Sequence, residues 1–389
     1  MSAYSDDEER AIRVQRLVAD WTKSGLVTPD QRAQVAPELR VEFRRTNKFL
    51  RVTMFVFGLL ILLAFAGLIA IGLAEDEQAA AVFCAILAGL SYFAANRLVT
   101  RHHLYRFGIE EAAAVACVGF AMAAAALFAG SAIDFRGDAP VIAALAVGCL
   151  ASFTIYRRFG YVYAAIFSMS FAAALPFVPG DSDTIHRLVS VFVLVLIFAV
   201  TRSMRNQAGR EYPGDSYATI EAAAWAGVYL VTNLQLTSWL SRPDDWSVFY
   251  WVTYVATWVL PVLGLWIAVN DRLRVLLDVS ALMAIATLMT NKAYLGTARH
   301  AYDPIAFGVL LIAIAVGLRR WLASGEDGSR HGFIAERILE SEKERLGVAG
   351  TLSVVHQGPV ASHPQPEQPP PPAIGGGGTS GGGGATGSF

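Results

Sequence analysis

The sequence predicts an all-α protein, namely a polytopic integral membrane helix bundle of about ten transmembrane helices. Hydrophobic residues make up 54% of the 389 positions and charged residues only 16%, against about 25% charged in an ordinary soluble domain. The apolar residues form long separate blocks rich in Ala and Leu. In lipid such blocks fold as helices, because a helix satisfies its own backbone hydrogen bonds. This composition excludes a soluble globular enzyme and a disordered chain.

Ten apolar runs approach the length of about 20 residues that a helix needs to cross a bilayer. We therefore assign residues 53–320 to a transmembrane bundle. The runs are Thr53–Leu73, Ala79–Asn96, Ala112–Ile133, Pro140–Tyr156, Gly160–Phe177, Ile185–Val200, Ala218–Leu240, Val248–Val269, Val275–Asn291 and Pro304–Leu318.

Basic residues in the connecting segments predict the orientation of the bundle. The segments after the second, fourth, sixth and eighth runs carry ten arginines. Those after the odd-numbered runs carry five basic residues when Arg187, just inside the sixth run, is counted with them. Because basic residues concentrate on the cytoplasmic side, both termini are expected in the cytoplasm. No short apolar segment of a cleavable signal precedes the first run. The first run is therefore expected to act as its own signal.

Residues 1–52 are predicted to form a cytoplasmic helical region. Four apolar residues at helical spacing, Val14, Leu17, Val18 and Trp21, share one face of a first helix. Gly25 is a stop signal, and Thr28-Pro29-Asp30-Gln31 has the pattern of a capping box that opens a second helix. Together they predict a helical hairpin over residues 10–35, docked on the inner loops or on a C-terminal helix.

A stripe of basic residues precedes the first run. Arg40, Arg44, Lys48 and Arg51 are spaced by four, four and three positions and share one helical face. The stripe either contacts anionic lipid headgroups or serves only as a topology determinant. The lipid bilayer is thus the expected partner. The net charge of −1 gives no global basic surface for nucleic acid.

The chain after the last run is polar. Residues 321–346 are predicted to include a cytoplasmic amphipathic helix over Phe333–Leu346. Residues 347–389 contain the stiff run Pro369–Pro372 and two glycine runs. They are predicted to be a disordered tail.

A four-helix unit recurs within the bundle at a shift of about 105–115 residues. Ile109-Glu110-Glu111-Ala112 opens the third run and Ile220-Glu221-Ala222 opens the seventh. Copies of four helices would run parallel, related by an axis along the membrane normal. The alternative is that Ala-rich runs with basic inner ends look alike by chance.

No motif for catalysis, nucleotide binding or metal binding is present, so no catalytic residue, cofactor or metal site is predicted. Cys84, Cys117 and Cys149 each lie within an apolar run. They are interpreted as small buried hydrophobic residues.

Five residues in or near the apolar runs are the candidate polar site: Asp278, Asn233, Gln235, Glu221 and Pro261. Asp278 either pairs with Arg274 one turn earlier or faces the bundle interior as an ion-coupling carboxylate. Asn233 and Gln235 add polarity to the seventh run.

Pro261 removes a backbone donor in the eighth run and frees the Thr257 carbonyl. Glu110, Glu111 and Glu221 stand near run starts, where the helix dipole favours a carboxylate.

The N-terminal pattern Leu17-Val18-x-x-Trp21-x-x-x-Gly25-Leu26-Val27-Thr28-Pro29-x-Gln31, followed by a polytopic block, resembles the bacterial membrane proteins catalogued as domain of unknown function 2157. The resemblance covers residues 10–75. It implies a multi-pass protein of the bacterial inner membrane and supplies no activity.

Two function classes stay open. One is a transporter or carrier of a small solute or ion, favoured by ten runs, a parallel repeat, Asp278 and Pro261. The other is a membrane scaffold or sensor that recruits partners through its N-terminal helices and Pro/Gly-rich tail. Polarity inside the bundle favours the first class, and its near-absence favours the second.

Overall fold

The computed structural model describes residues 4, 6–39, 41, 43–44, 46–72, 76–132, 137–178, 183–208, 212–237, 247–297, 303–325, 329–330 and 333–334. These residues are almost entirely α-helical, which confirms the all-α class.

Twelve α-helices and one short hairpin make up this part of the chain. The helices are α1 (Asp6–Lys23), α2 (Pro29–Val35), α3 (Lys48–Gly72), α4 (Glu77–Thr100), α5 (Ile109–Ala132), α6 (Ala139–Phe159), α7 (Val162–Ala174), α8 (Asp183–Ala208), α9 (Tyr212–Thr232), α10 (Val248–Asp271), α11 (Arg274–Tyr294) and α12 (Asp303–Ala323). A 3-10 turn, Leu175–Phe177, extends α7. Strands β1 (Ser329–Arg330) and β2 (Phe333–Ile334) pair antiparallel.

Each of the ten predicted apolar runs coincides with one helix, from α3 to α12. Seven of them, α3 to α6, α8, α10 and α11, are long and apolar enough to cross a membrane. The shorter α7 is also apolar. The described chain is therefore an all-α protein that fits a membrane helix bundle, and the crossing of all ten helices stays a prediction.

The helices pack in two groups along the chain. In the first, α4, α5, α6 and α7 each contact the next helix, around a core that includes Ala95, Ala113, Ala114 and Ile155. In the second, α8 packs on α9, while α11 packs on both α9 and α10. Its core includes Trp225. The many alanines let the helix backbones approach closely, as small residues do in membrane proteins.

Two helix connections have the same backbone conformation. Gly160 ends α6 in the left-handed region at φ 67°, and Arg272 ends α10 there at φ 56°. One extended residue, Tyr161 or Leu273, then starts the next helix. The left-handed positions are 112 residues apart (272 − 160), within the predicted repeat shift. This agreement supports the four-helix repeat, which stays a prediction.

The N-terminal helices begin and end at the predicted capping and stop residues. Thr28 Oγ1 accepts the Gln31 N–H at 3.2 Å, and Gln31 Oε1 accepts the Thr28 N–H at 2.9 Å, as a capping box requires. Gly25 lies at φ 75°, where a stop glycine is expected. The buried face of α1 differs from the prediction, because Ile12 is 1% exposed whereas Trp21 is 37% exposed.

Tyr4 anchors the start of the chain to the inner loops. Its hydroxyl donates to the Leu104 carbonyl at 3.3 Å and lies 3.2 Å from the Tyr161 hydroxyl. Burial raises the pKa of Tyr4, and the hydrogen bond to Tyr161 lowers it in part. The Tyr4 hydroxyl is therefore neutral at physiological pH.

Two predicted terminal features differ in the structure. Arg51 pairs with Glu111 on α5, so this member of the basic stripe is engaged within the protein, while Arg40 lies outside the described residues. Phe333 and Ile334 form β2, so a helix does not start at Phe333. Residues 335–389, with the rest of that predicted helix and the tail, lie outside the described residues.

Candidate functional site

Asn233 ends helix α9. The run was predicted to continue to Leu240, but the helix stops at Thr232. Asn233 Oδ1 accepts the backbone N–H groups of Gln235 and Leu236, both at 3.2 Å. An Asn side chain that binds nearby backbone donors offers the chain an alternative to the helix, and this explains the early end.

The side-chain amide of Asn233 also begins a chain of hydrogen bonds that links three helices. Its Nδ2 donates to the Tyr229 hydroxyl at 3.0 Å and to Thr290 Oγ1 of α11 at 3.1 Å. The Tyr229 hydroxyl lies 2.8 Å from Thr287 Oγ1. Thr287 donates to the Thr257 carbonyl of α10 at 2.8 Å. The chain of polar groups thus runs from α9 through α11 to α10.

Pro261 explains why that carbonyl is free. It has no N–H, so the carbonyl of Thr257 four residues earlier has no donor within its own helix. The Thr287 hydroxyl takes the place of the missing N–H. The prediction that Pro261 frees the Thr257 carbonyl is thus matched by an interhelical hydrogen bond.

A second layer of polar contacts lies next to Gln235. Gln235 Nε2 lies 3.4 Å from the Tyr250 hydroxyl, which donates to the Tyr294 carbonyl at 2.7 Å. The Tyr294 hydroxyl accepts the Leu234 N–H at 2.7 Å. These bonds fasten the segment after α9 to α10 and α11.

Arg187 completes this region from α8, and the sequence analysis did not single it out. It is 2% exposed. Its guanidinium donates to Asp183 Oδ2, to the Val231 carbonyl and to Thr237 Oγ1, each at 2.9 Å. A cation at the C-terminus of α9 is favoured by the helix dipole. We interpret the whole region as a closed, structural hydrogen-bond network.

Glu221 lies elsewhere, in an ionic cluster between the middle of α9 and the C-terminal ends of α8 and α10, which are predicted to be cytoplasmic. Arg205 Nε donates to Glu221 Oε2 at 2.7 Å, and Arg205 Nη2 lies 2.8 Å from Asp271 Oδ2. Arg202 contacts the same Asp271 oxygen at 2.9 Å. Helix α9 starts at Tyr212, so Glu221 is not in its first turn. Arg205, rather than the helix dipole, stabilises this carboxylate.

Glu110 does stand in a first turn, as predicted. Its carboxylate accepts the N–H groups of Phe107 at 2.6 Å and Gly108 at 3.1 Å at the start of α5. Its neighbour Glu111 pairs with Arg51. Both carboxylates therefore have structural partners.

Asp278 does not join any of these groups. It lies in the second turn of α11 and is exposed. The buried face of the helix carries Leu276, Ser280 and Met283 instead. The interpretation of Asp278 as an interior carboxylate is therefore wrong for this structure.

The largest cavity we describe lies between the α6–α7 pair and the α8–α9 pair. Its volume is about 600 Å³. It occupies the C-terminal halves of α6 and α8 and the N-terminal part of α9, at the end of the bundle predicted to be cytoplasmic, and it extends along most of α7 as far as Ala172. Its walls are mainly apolar and come from Phe153, Ala165, Met169, Ala172, Leu196, Ile197, Val200, Met204 and Ile220. We call it the central cavity.

The central cavity is open on one side toward the outer surface of the bundle. Phe153, Leu196 and Val200 line it, yet each is about half exposed. Along their described residues α6 and α8 have almost no direct contact, because α7 packs behind them against α8 and α9. The gap between α6 and α8 therefore forms a lateral opening.

The predicted cytoplasmic end of the central cavity is basic. Arg157 lines it there, together with Glu9 of α1 and Ser216 of α9. Glu9 and Ser216 also line an adjoining cavity of about 240 Å³, whose walls include Arg13, Arg16 and Arg106. We call these four arginines and Glu9 the basic mouth.

Two polar groups inside the central cavity contact each other. Ser168 Oγ of α7 donates to the Cys149 carbonyl of α6 at 2.9 Å and lies 3.5 Å from the Cys149 Sγ. Cys149 is a free thiol and is half-buried. It provides a natural chemical probe of this cavity.

None of the five predicted site residues lines the central cavity. The signal in the sequence is the pair Arg157-Arg158 between the fourth and fifth apolar runs. Both arginines lie in the last turn of α6, and only Gly160 and Tyr161 connect it to α7. So short a connection places Arg157 at the mouth.

No protein-family model, curated protein or solved structure matches the chain. Within the described ranges, no group of three or more His, Cys, Asp or Glu residues is placed to hold a metal ion. The class defined by fold and site is thus an all-α bundle with seven membrane-compatible helices and a cavity between two helix groups.

Proposed function

We propose that the chain is a membrane carrier of a small solute and that the central cavity is its substrate site. The observation that carries the proposal is the position of the cavity, between the helix pairs α6–α7 and α8–α9. These pairs end the first helix group, α4–α7, and begin the second, α8–α11, and the two groups are four helices apart, as the predicted repeat requires. In carriers built from repeats, the substrate binds where the repeats meet.

The closed network around Asn233 supports this choice of site over the one predicted from sequence. Its named donors and acceptors bind one another, so it holds α9, α10 and α11 as a rigid unit. Helix α7 is linked to α8 by the hydrogen bond from Ser190 Oγ to the Ala173 carbonyl at 2.7 Å, whereas its contacts with α8 and α9 at the central cavity are apolar. The boundary between the two units is thus the place where they move relative to each other.

The proposal includes a location and an orientation. The chain lies in the inner membrane of a bacterium with both termini in the cytoplasm, as the basic residues and the resemblance to domain of unknown function 2157 imply. Reporters inserted after Gln78 and Asp138 test this. Both are expected to report the outer side, and a cytoplasmic signal from both would overturn the orientation.

Cys149 allows a direct test of carrier function. A carrier opens its site to the two sides in turn, so a membrane-impermeant thiol reagent should label Cys149 from either side. The experiment uses the full chain with Cys84→Ala and Cys117→Ala, which leaves Cys149 as the single thiol. Right-side-out and inverted vesicles are labelled separately. A matched variant with Cys149→Ala and Cys84 retained measures labelling on α4, outside the cavity.

Labelling of Cys149 from only one side, under all conditions, would contradict the carrier proposal. The same result favours the second candidate, a membrane sensor or scaffold. The observation behind that candidate is that α1 lies across the basic mouth, with Glu9 in both cavities and Ile12 buried. A partner that binds α1 would then be coupled to the cavity without any transport.

A further inference from the structure

We infer that the central cavity binds one anionic phospholipid, with an acyl chain along the apolar wall and the phosphate group at the basic mouth. This inference deepens the proposed carrier function, and it rests on that function for the role of the lipid as cargo. The binding itself is argued from three features of the site.

The first feature is the chemistry of the walls. Along α7 and α8 the cavity presents Met169, Ala172, Leu196, Ile197 and Val200. The side-chain donors and acceptors farther from the mouth are few, and Ser168 already donates to the Cys149 carbonyl. A polar solute would lose its hydration here without replacement, which is costly. A hydrocarbon chain needs no hydrogen-bond partners, so it occupies these walls without that cost.

The second feature is the lateral opening between α6 and α8. The side chains of Phe153, Leu196 and Val200 line the cavity and are also exposed on the outer surface of the bundle. If the helices cross the membrane as proposed, this opening faces the hydrocarbon of the bilayer. A lipid tail can then enter from the membrane without passing through water.

The third feature is the charge of the basic mouth. Arg157 and Glu9 line the central cavity, and Arg13, Arg16 and Arg106 line the adjoining cavity together with Glu9, so the lining residues of the two cavities together have a formal charge of +3 (4 − 1). Guanidinium groups match phosphate oxygens in geometry and are weakly hydrated. The charge lies at the predicted cytoplasmic end, where the headgroups of the inner leaflet lie.

The three features together select an amphiphile. A soluble anion fits the mouth but not the apolar walls, and a zwitterionic lipid fits the walls but gains less from the mouth. An anionic phospholipid of the inner leaflet fits both. Its headgroup and its tail lie the right way round, because the apolar lining residue Phe153 comes one turn before Arg157 in α6, on the side of it away from the predicted cytoplasmic end.

The test compares two lipids with identical chains. The full chain is purified in detergent, and the affinity is measured for a fluorescent-tailed phosphatidylglycerol and for the phosphatidylcholine with the same tail. We expect phosphatidylglycerol to bind at least about tenfold more tightly and to slow thiol labelling of Cys149. Inorganic phosphate is added as a competitor. Displacement of the lipid by phosphate at equal concentration would show that only an anion site exists.

Two variants test the mouth and the wall. Arg16→Gln with Arg157→Gln should weaken phosphatidylglycerol binding about 25-fold, at about fivefold per arginine, and weaken phosphatidylcholine binding clearly less. Ala172→Phe should fill the cavity and weaken both lipids. The controls are Arg101→Gln and Ala94→Phe, exposed positions on or next to α4 that do not line the cavity.

Equal affinity of the two lipids for the unmodified protein would overturn the inference, whether or not any variant folds. An equal loss from Arg101→Gln and from the double arginine variant would overturn it as well. The carrier proposal has a separate readout. Lipid binding with Cys149 labelled from one side only would keep the site and reject transport, whereas labelling from both sides without lipid selectivity would keep the carrier and reject this cargo.

Discussion

Thr287 donates its hydroxyl to the carbonyl of Thr257 at 2.8 Å, across the interface between α11 and α10. The Thr257 carbonyl is available for this bond because Pro261, four residues later, supplies no N–H. The proline of one helix and the hydroxyl of another thus act as a pair. An apolar side chain at 287 leaves a buried carbonyl without a donor.

The pair predicts a non-additive effect on stability. Thr287→Val should lower the free energy of unfolding by about 1 kcal/mol, within the range for interhelical hydrogen bonds in membranes. In a Pro261→Ala background the residue at 261 restores an N–H for Thr257, so the same change should cost clearly less. Denaturation in SDS measures all four proteins, and Thr154→Val, at an exposed threonine of α6, is the control. Equal costs in both backgrounds would rule out the pairing.

Glu221 and Arg205 predict a larger effect. Glu221 is fully buried, and Arg205 Nε donates to it at 2.7 Å. A hydrogen bond to a charged group is worth about 1.5–3 kcal/mol, so Glu221→Gln should be destabilising by that order, and the contact of Arg205 with Asp271 holds the cost below that of an unpaired buried charge. Replacing both residues by Leu should cost much less, because Arg202 still pairs with Asp271.

The measurement is again the free energy of unfolding in SDS, with Glu77→Gln, an exposed residue in the first turn of α4, as the control. If Glu221→Gln costs no more than Glu77→Gln, the buried pair does not hold α8 and α9 together.

The sequence predicted the helices well and the site poorly, for one physical reason. Helix position follows from local hydropathy, so each of the ten runs coincides with a helix. Asp278 and Asn233 show that the local sequence does not predict which side chains point into the bundle or where a helix ends. Which face of α11 turns inward depends on its neighbours, and they turn Leu276 inward and leave Asp278 exposed.

The central cavity has no local signature either. It arises because α7 is short and lies behind α6 and α8, which leaves these two helices apart. Arg157 was visible as a charge, but its place at the mouth depends on α1 and α9. The capping box at Thr28 was predictable in full, because all its partners lie within four residues.

The matched connections at Gly160 and Arg272 predict opposite effects of substitution. Both residues have left-handed backbones, which cost a residue with a Cβ about 1–2 kcal/mol. Gly160→Ala should therefore lower the free energy of unfolding by about 1 kcal/mol, while Arg272→Gly should raise it. Gly89→Ala, at a helical glycine with open space around it, should be stabilising and serves as the control. A stabilising Gly160→Ala would contradict the left-handed connection and weaken the case for the repeat.

The docking of α1 predicts control of access to the central cavity. Ile12 is 1% exposed in the same core cluster as Tyr4 and Tyr161, and its neighbour Glu9 lines both cavities. Ile12→Ala removes a buried side chain, a change that costs about 2–5 kcal/mol in a packed core. Helix α1 is then expected to leave the basic mouth, because its other buried contacts are few.

The expected result is faster labelling of Cys149 by an impermeant thiol reagent from the cytoplasmic side, together with faster amide exchange in α1. Trp21→Ala is the matched control, because Trp21 lies on the same helix but is 37% exposed, and it should change neither rate. If Ile12→Ala speeds amide exchange in α1 but leaves Cys149 labelling unchanged, α1 is bound at the mouth without closing it. If neither rate changes, the contact of Ile12 with the core does not hold α1 in place.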